Sequence, residues 1–214
     1  MLTITSPLFQ AYVKHNASAE GGKSSNPKDT AAKYVQPGQV HTNRGVTWNT
    51  YKSLASKLGL NPDYNSFLAL TKDGAVKFIY QYYLDNAKDL PDQTGIAVTE
   101  SSWASGPSIA SQNLIAAVNT FGKNVKSRKN AAMAAKTIDD KKLALAVNFE
   151  QKKFYQSLVD RDPNQYSTFI KGWQDRANRL AALITNANPG IGLASVFIIA
   201  AIFFLIRQSK QGLT

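Results

Sequence analysis

The sequence predicts a mostly-α protein. Apolar residues recur at helical spacing in one segment after another. Helix-starting and helix-stopping residues punctuate those segments, and no stretch alternates convincingly as a strand does. The chain has 214 residues, 43% of them hydrophobic, with ten Phe and nine Tyr, enough to bury a proper core.

The elements follow in order. Ser6-Pro7 opens the first helix, with Ser as cap and Pro in the first turn. Leu8, Phe9, Tyr12 and Val13 share one face, and the helix fades near Glu20, before Gly21-Gly22. Residues 21–46 hold Gly, Pro, Ser and Asn without a helical period. They read as a long functional loop, with room for a short hairpin around Pro37-Gly38. Thr47 caps a second helix reaching about Leu58 and stopped by Gly59. Asn61-Pro62 starts a third and Thr71 caps a fourth, whose Val76, Phe78, Ile79, Tyr82, Tyr83 and Leu84 are core candidates. Pro91 breaks the chain before a helix to Trp103. Ser105-Gly106-Pro107 turns it into another, Ser108 to Phe121, stopped by Gly122. Asn124 to Ala135 is a weakly apolar helix. Thr137, Asp139 and Asp140 cap a long one reaching Val159, and after Arg161-Asp162-Pro163 a last one runs from Gln165 to about Thr185.

The tail differs. Between Arg179 and Arg207 stand 27 residues without a charge, and Gly190 to Ile206 is almost wholly apolar. Roughly 20 such residues in a helix cross a hydrocarbon core of about 30 Å. Arg207 and Lys210 would end the span at a headgroup layer. The expectation is a C-terminal transmembrane anchor, with no leader visible at the N-terminus. Such an anchor first leaves the folded part in the cytosol. A virus with a membrane inside its capsid would carry it onward to the next cell. The terminal cations instead favour a cytosolic tail, which would put the folded part on the far side of the membrane.

Composition narrows the chemistry. The chain lacks cysteine, which excludes disulfides and thiolate metal sites, and its two histidines, His15 and His41, exclude a three-histidine zinc site. The net charge of +11 is uneven: residues 1–122 carry 10 basic against 8 acidic side chains, residues 123–179 carry 13 against 6. A basic half points to an anionic polymer or surface, or simply to a well-solvated face. Lys123, Lys126, Arg128 and Lys129 form its densest cluster. Peptide-stem carboxylates and anionic lipid heads fit that cluster. Nucleic acid ranks last, because nothing here resembles a nucleic-acid-binding fold.

The segment from Ser18 to Thr47 carries the candidate chemistry. Glu20 sits where a helix gives way to glycines, Asp29 follows nine positions later, and Thr42 opens Thr42-Asn43-Arg44-Gly45-Val46-Thr47. Cleaving a glycosidic bond needs a proton donor on the leaving oxygen, and often a second polar group to direct water. Glu20 is the candidate acid, Asp29 the group that orients water or stabilises positive charge, and Thr42 a hydroxyl that holds the water. Gly21 and Gly22 let backbone approach a substrate closely. His41 stands beside Thr42 and is a candidate for the cleft wall. Trp48, Trp103 and Trp173 offer flat faces to sugar rings, although aromatics at helical spacing are more often core.

These residues resemble the signature of glycoside hydrolase family 108, whose members are bacterial and phage peptidoglycan hydrolases. Glu20-Gly21-Gly22 matches its opening, Asp29 its Asp, and Thr42 to Thr47 its close. Trp103-Ala104-Ser105-Gly106 with Ile115 to Asn119 is similar to a helix pair of the family. Phe154-Tyr155-x-x-Leu158-Val159 with Gly172-Trp173-x-x-Arg176 resembles the peptidoglycan-binding region that accompanies it, though it also fits a helix-packing unit. The sequence departs from the pattern at Lys23, which stands where the family has an aromatic residue. It departs again at an insertion from Thr30 to His41.

The resemblance implies a lysozyme-like N-acetylmuramidase that cuts peptidoglycan and needs neither metal nor organic cofactor. Its expected layout is a catalytic domain over residues 1–122, a basic helical region over 123–186, and the anchor with its short tail over 187–214. The expected setting is a bacteriophage particle with an internal membrane, or the host inner membrane, acting at entry or lysis among other virion proteins. The alternative is a non-catalytic, membrane-anchored wall-docking or structural protein on a degenerate hydrolase scaffold.

Overall fold

The computed structural model describes residues 1–19 and 21–186. Glu20 and the tail from residue 187, including the apolar run 190–206, lie outside the described residues. Among the described residues no helix is long and apolar enough to cross a membrane.

Ten α-helices and three two-residue strands make up the described part: α1 (Pro7–Ala19), β1 (Lys23–Ser24), β2 (Thr42–Asn43), β3 (Val46–Thr47), α2 (Trp48–Leu54), α3 (Tyr64–Leu68), α4 (Lys72–Asn86), α5 (Asp92–Ser105), α6 (Pro107–Thr120), α7 (Arg128–Ala135), α8 (Asp140–Arg161), α9 (Pro163–Tyr166) and α10 (Ile170–Asn186). Helix α5 lies at the centre, packed against α4, α6 and α8 and touching α1. Every residue from Gln93 to Ser102 is buried. Its first turn has no side-chain cap of its own. Asp140, at the start of α8, accepts hydrogen bonds from the Gln93 and Thr94 backbone N–H groups at 2.9 and 2.8 Å. A carboxylate placed there satisfies orphan donors and complements the helix dipole.

The main core draws on both halves of the chain. Phe9 and Tyr12 of α1 join Ile79 and Tyr83 of α4, Leu114 of α6, Leu143 and Val147 of α8, and Leu180 and Ile184 of α10. A smaller core beneath the sheet holds Val46, Tyr51, Phe67, Leu70 and Phe78. Trp103 packs against both.

The absence of strands expected from the sequence is corrected by a small antiparallel sheet, ordered β1-β2-β3. Two-residue strands are too short to show alternation. The hairpin turns at Arg44-Gly45 rather than at Pro37-Gly38. Both Arg44 and Gly45 have positive φ, 52° and 77°, as a tight two-residue hairpin turn requires. Positive φ is unfavourable for Arg, and the residue is held by a hydrogen bond from its Nε to the Leu70 carbonyl at 3.0 Å. Asn43 donates to the Phe67 carbonyl at 2.8 Å, so two adjacent hairpin positions are tied to α3 and to the chain just after it.

Other boundaries move for local reasons. Asp63, not Asn61-Pro62, caps α3 by accepting from Ser66 N–H. Ser127 caps α7 by accepting from Asn130 N–H. The last expected helix is two pieces, α9 and α10. Thr47, Thr71 and Asp139 cap as their positions predict.

Gly95 marks the crossing of α5 over α4. A Cβ there would meet Tyr83 Cε2 at 3.2 Å and the Ala87 carbonyl oxygen at 3.3 Å. A backbone atom cannot step aside as a flexible side chain can. Gly95→Ala is therefore expected to lower stability by about 1–2 kcal/mol, although Ala is the better helix former by about 1 kcal/mol. The urea midpoint should fall at unchanged slope, and a midpoint at or above the parent's would show that the crossing is not tight.

Candidate active site

A cleft of about 560 Å3 opens where the sheet and the turn after it meet the C-terminal helices. From the N-terminal half it is lined by Lys28, Asp29, Lys33, Tyr34, Thr42 and Thr47, and from the middle by Trp103 to Ser105. Helices α8 to α10 add Phe154, Tyr155, Tyr166, Phe169, Trp173 and Arg176. It is thus polar along the 28–49 side and aromatic along the 154–173 side. That mixture suits a sugar polymer, whose rings have apolar faces and hydroxylated edges.

Asp29 and Thr42 line this one cleft although thirteen positions separate them. Asp29 is half-buried, and its Oδ1 accepts from Ala31 N–H at 2.9 Å, capping a short 3-10 turn over Thr30–Tyr34. The cap fixes the carboxylate at the cleft edge. Thr42 is placed by β2, which pairs Ser24 with Thr42 and Lys23 with Asn43. The same pairing ties the chain just after Gly21-Gly22 to the cleft. Gly22 also accepts from Arg44 N–H at 3.1 Å.

His41 is not a wall residue: it is fully buried. Its Nε2 lies 3.1 Å from the Asn26 carbonyl oxygen and its Nδ1 lies 2.8 Å from Thr42 Oγ1. A carbonyl only accepts, so Nε2 carries the proton. In the neutral ring Nδ1 then accepts, and the Thr42 hydroxyl donates to it. The Thr42 proton is thereby turned away, and its oxygen is left as an acceptor for a water or a substrate hydroxyl.

The sugar-platform expectations divide. Trp103 and Trp173 line the cleft. Trp173 stacks on Tyr155 at 5.1 Å and on Phe169 at 5.6 Å, so its plane is set by neighbours. Trp48 does not line it. It packs into the smaller core, edge-on to Tyr64 at 5.3 Å and beside Phe67 at 5.5 Å, because α2 turns that face toward α3. Gly21 and Gly22 are exposed, and a Cβ on either would meet nothing within 4 Å. The protein's own packing does not demand glycine at either place. Arg176 lines the cleft, but its guanidinium is engaged behind it.

That engagement shows the functional group the sequence did not reveal. Glu100, on α5, is buried with its side chain only 4% exposed. It accepts from Arg176 Nε, from Arg176 NH2 at 3.1 Å and from the Tyr12 hydroxyl at 2.9 Å. His15 Nε2 lies 3.7 Å away. Burial alone would push the Glu100 carboxyl up. The Arg176 charge, the hydrogen bonds from Arg176 and the nearby His15 ring outweigh it and hold the group well below the usual carboxylate range. The same environment pushes the Tyr155 hydroxyl up to about 12, through burial first and the Glu100 charge second. The cluster joins α1, α5 and α10 directly behind the cleft floor. No signal in the sequence marked Glu100, because α5 is buried all round and shows no apolar stripe. Next to it, Ser101, Asn113, Gln151 and Ser105 form a chain of buried hydrogen bonds across α5, α6 and α8.

Among the described residues no group of His, Asp and Glu is placed to hold a metal ion.

A depressed carboxyl stabilises the fold above its unfolded value, near 4.3, and that contribution drains away as pH falls toward the folded value. The parent's Tm should therefore drop on acidification below about pH 4.5. In Glu100→Gln the part of that acid limb due to this residue should be absent. Arg176→Met, which strands the carboxylate, should cost about 3–5 kcal/mol at neutral pH. Equal acid limbs in parent and Glu100→Gln would show that Glu100 is not the group being titrated.

Comparison with known proteins agrees with this geometry. Residues 13–106 match the family model described as Glycosyl hydrolase 108. The structure also resembles that of SagA from Brucella abortus, with a TM-score of 0.62 and 23% identity, covering 83% of this chain and 93% of that one. No curated protein matches the chain. The structural likeness covers a larger share of the chain than the matched segment does. The fold is thus mostly helical and lysozyme-like, and residues 13–106 are similar to glycosyl hydrolase family 108.

Proposed function

We propose that the chain is an N-acetylmuramidase that cuts the glycan strand of bacterial peptidoglycan. One observation carries this: Asp29 and Thr42 share a single cleft with a row of aromatic side chains, in a chain whose residues 13–106 match the family 108 model. Glu20 joins α1 to the strand that pairs with Thr42, and we assign it the proton donated to the glycosidic oxygen. As the bond breaks, positive charge grows at the anomeric carbon. Asp29 stabilises that charge or orients the attacking water. Thr42, whose own proton is spent on His41, accepts from that water and holds it in line. Trp173 and Trp103 supply apolar faces against which pyranose rings stack.

The setting is part of the proposal and rests on the sequence. The run 190–206 reads as a membrane anchor, and a basic protein body beside it suits anionic surfaces. A lytic enzyme held on the internal membrane of a phage particle, or on the host inner membrane, fits a wall substrate. Neighbouring virion proteins would be its other partners.

Purified peptidoglycan and the full chain in mild detergent provide the test. The parent should clear a wall suspension and release reducing ends. Glu20→Gln should abolish clearing while leaving Tm and helical content unchanged. Thr42→Val should keep the fold and lower kcat by about 10–100-fold, in the range of a lost proton-transfer or water-positioning group. A Glu20→Gln variant as active as the parent removes the donor assignment. A parent that binds wall without cutting it favours a non-catalytic docking protein.

A further inference from the structure

The insertion between Thr30 and His41, with Lys28 just before it, departs from the family pattern and finds its place in the structure at the cleft. Its first part folds as the 3-10 turn Thr30–Tyr34. Three features make this turn a built wall instead of a loose loop. Asp29 caps its start, Val35 N–H closes it on the Ala32 carbonyl, and buried Ala31 anchors it. Lys28, Lys33 and Tyr34 then line the cleft. Lys33 Nζ stands 5.0 Å from the centre of the Tyr34 ring, a cation–π contact that limits where the ammonium can go.

The charges of the cleft are unequal in consequence. Arg176 is matched by Glu100. Lys28 and Lys33 make no ion pair among the described residues, and Asp29 is the one acidic side chain lining the cleft there. Sugar rings need no cation to bind, and aromatic side chains already supply their platforms. Two ammonium groups, one on the turn and one just before its cap, point to a substrate that carries carboxylates beside its sugars.

Resting on the muramidase reading above, we infer that Lys28 and Lys33 are specificity-determining residues. They recognise the carboxylates that hang from the glycan strand through its peptide stems, so the enzyme prefers an acidic, stem-bearing glycan to a neutral one. They touch no reacting atom. Their contribution is to binding, it is electrostatic, and it is screened by salt.

The test uses full-length parent and the Lys28→Gln/Lys33→Gln double variant. The substrates are native peptidoglycan and the same peptidoglycan with its carboxylates amidated. On native substrate the double variant should show KM raised about five- to tenfold, the scale of two exposed ion pairs, with kcat held. The parent's KM should climb with ionic strength, and the variant's should climb less. On amidated substrate the two proteins should have the same KM. An equal loss by the variant on both substrates would overturn the inference, because the lysines would then act through the fold of the turn. Unchanged KM on native substrate would overturn it as well. If the parent cuts neither substrate, the hydrolase reading itself falls, a result distinct from the other two.

Discussion

The buried ion pair between Glu100 and Arg176 is the constraint on which the arrangement depends. Burying either charge alone is costly, and the pair is tolerable only with good geometry and further hydrogen bonds. Here two guanidinium contacts and the Tyr12 hydroxyl provide them. The three helices that meet at this point have separate duties. Helix α1 leads to Glu20. Helix α5 is the buried axis of the molecule. Helix α10 brings Trp173, one turn before Arg176, to the cleft. A single buried carboxylate therefore ties the aromatic side of the cleft to the helix that precedes Glu20 in the chain. Its neighbours Ser101 and Ser105 extend the same tie to α6 and α8. The polar centre of α5 is thus what makes the two sides of the cleft one object.

The family match ends at residue 106, yet the cleft does not. Its aromatic side comes from residues 154–173, and its core includes Leu180 and Ile184. The C-terminal helices complete the groove that the family segment begins. The Gly172-Trp173-x-x-Arg176 element allowed two readings, wall contact or helix packing, and its arginine fits the packing one. Trp173 lines the groove, while Arg176 packs α10 onto α5 through Glu100.

Much of this was legible from the sequence, and the exceptions have physical causes. Helix starts were readable where a Ser, Thr or Asp side chain caps its own helix, as at Thr47, Thr71 and Asp139. They were misread at α3, where Asn61-Pro62 outweighed Asp63. Asp29 and Thr42 were legible as a pair because their residue types and order carry the signal. The sheet was not, since two-residue strands have no period, and its turn uses Arg44 where Asn or Asp is usual. Glu100 was hidden for the opposite reason: a helix buried on every side shows no boundary between polar and apolar faces. His41 was assigned to the cleft by its place beside Thr42, and Trp48 by the flat face it offers. In the structure Trp48 faces the smaller core, and His41 is enclosed beneath the hydroxyl it orients.

His41 shows how such an enclosed residue shapes the chemistry. A threonine hydroxyl at a cleft wall is free to rotate, and as either donor or acceptor it would hold a water in several orientations. The Asn26 carbonyl removes that freedom at one remove. In the neutral ring it fixes the proton on Nε2, which makes Nδ1 an acceptor, which draws the Thr42 proton inward. The lone pairs of Thr42 are then the part presented outward. The preference is set by a loop carbonyl fifteen residues upstream of the histidine. The segment between Lys23 and Thr47 therefore shapes the cleft and also sets the polarity of the Thr42 hydroxyl.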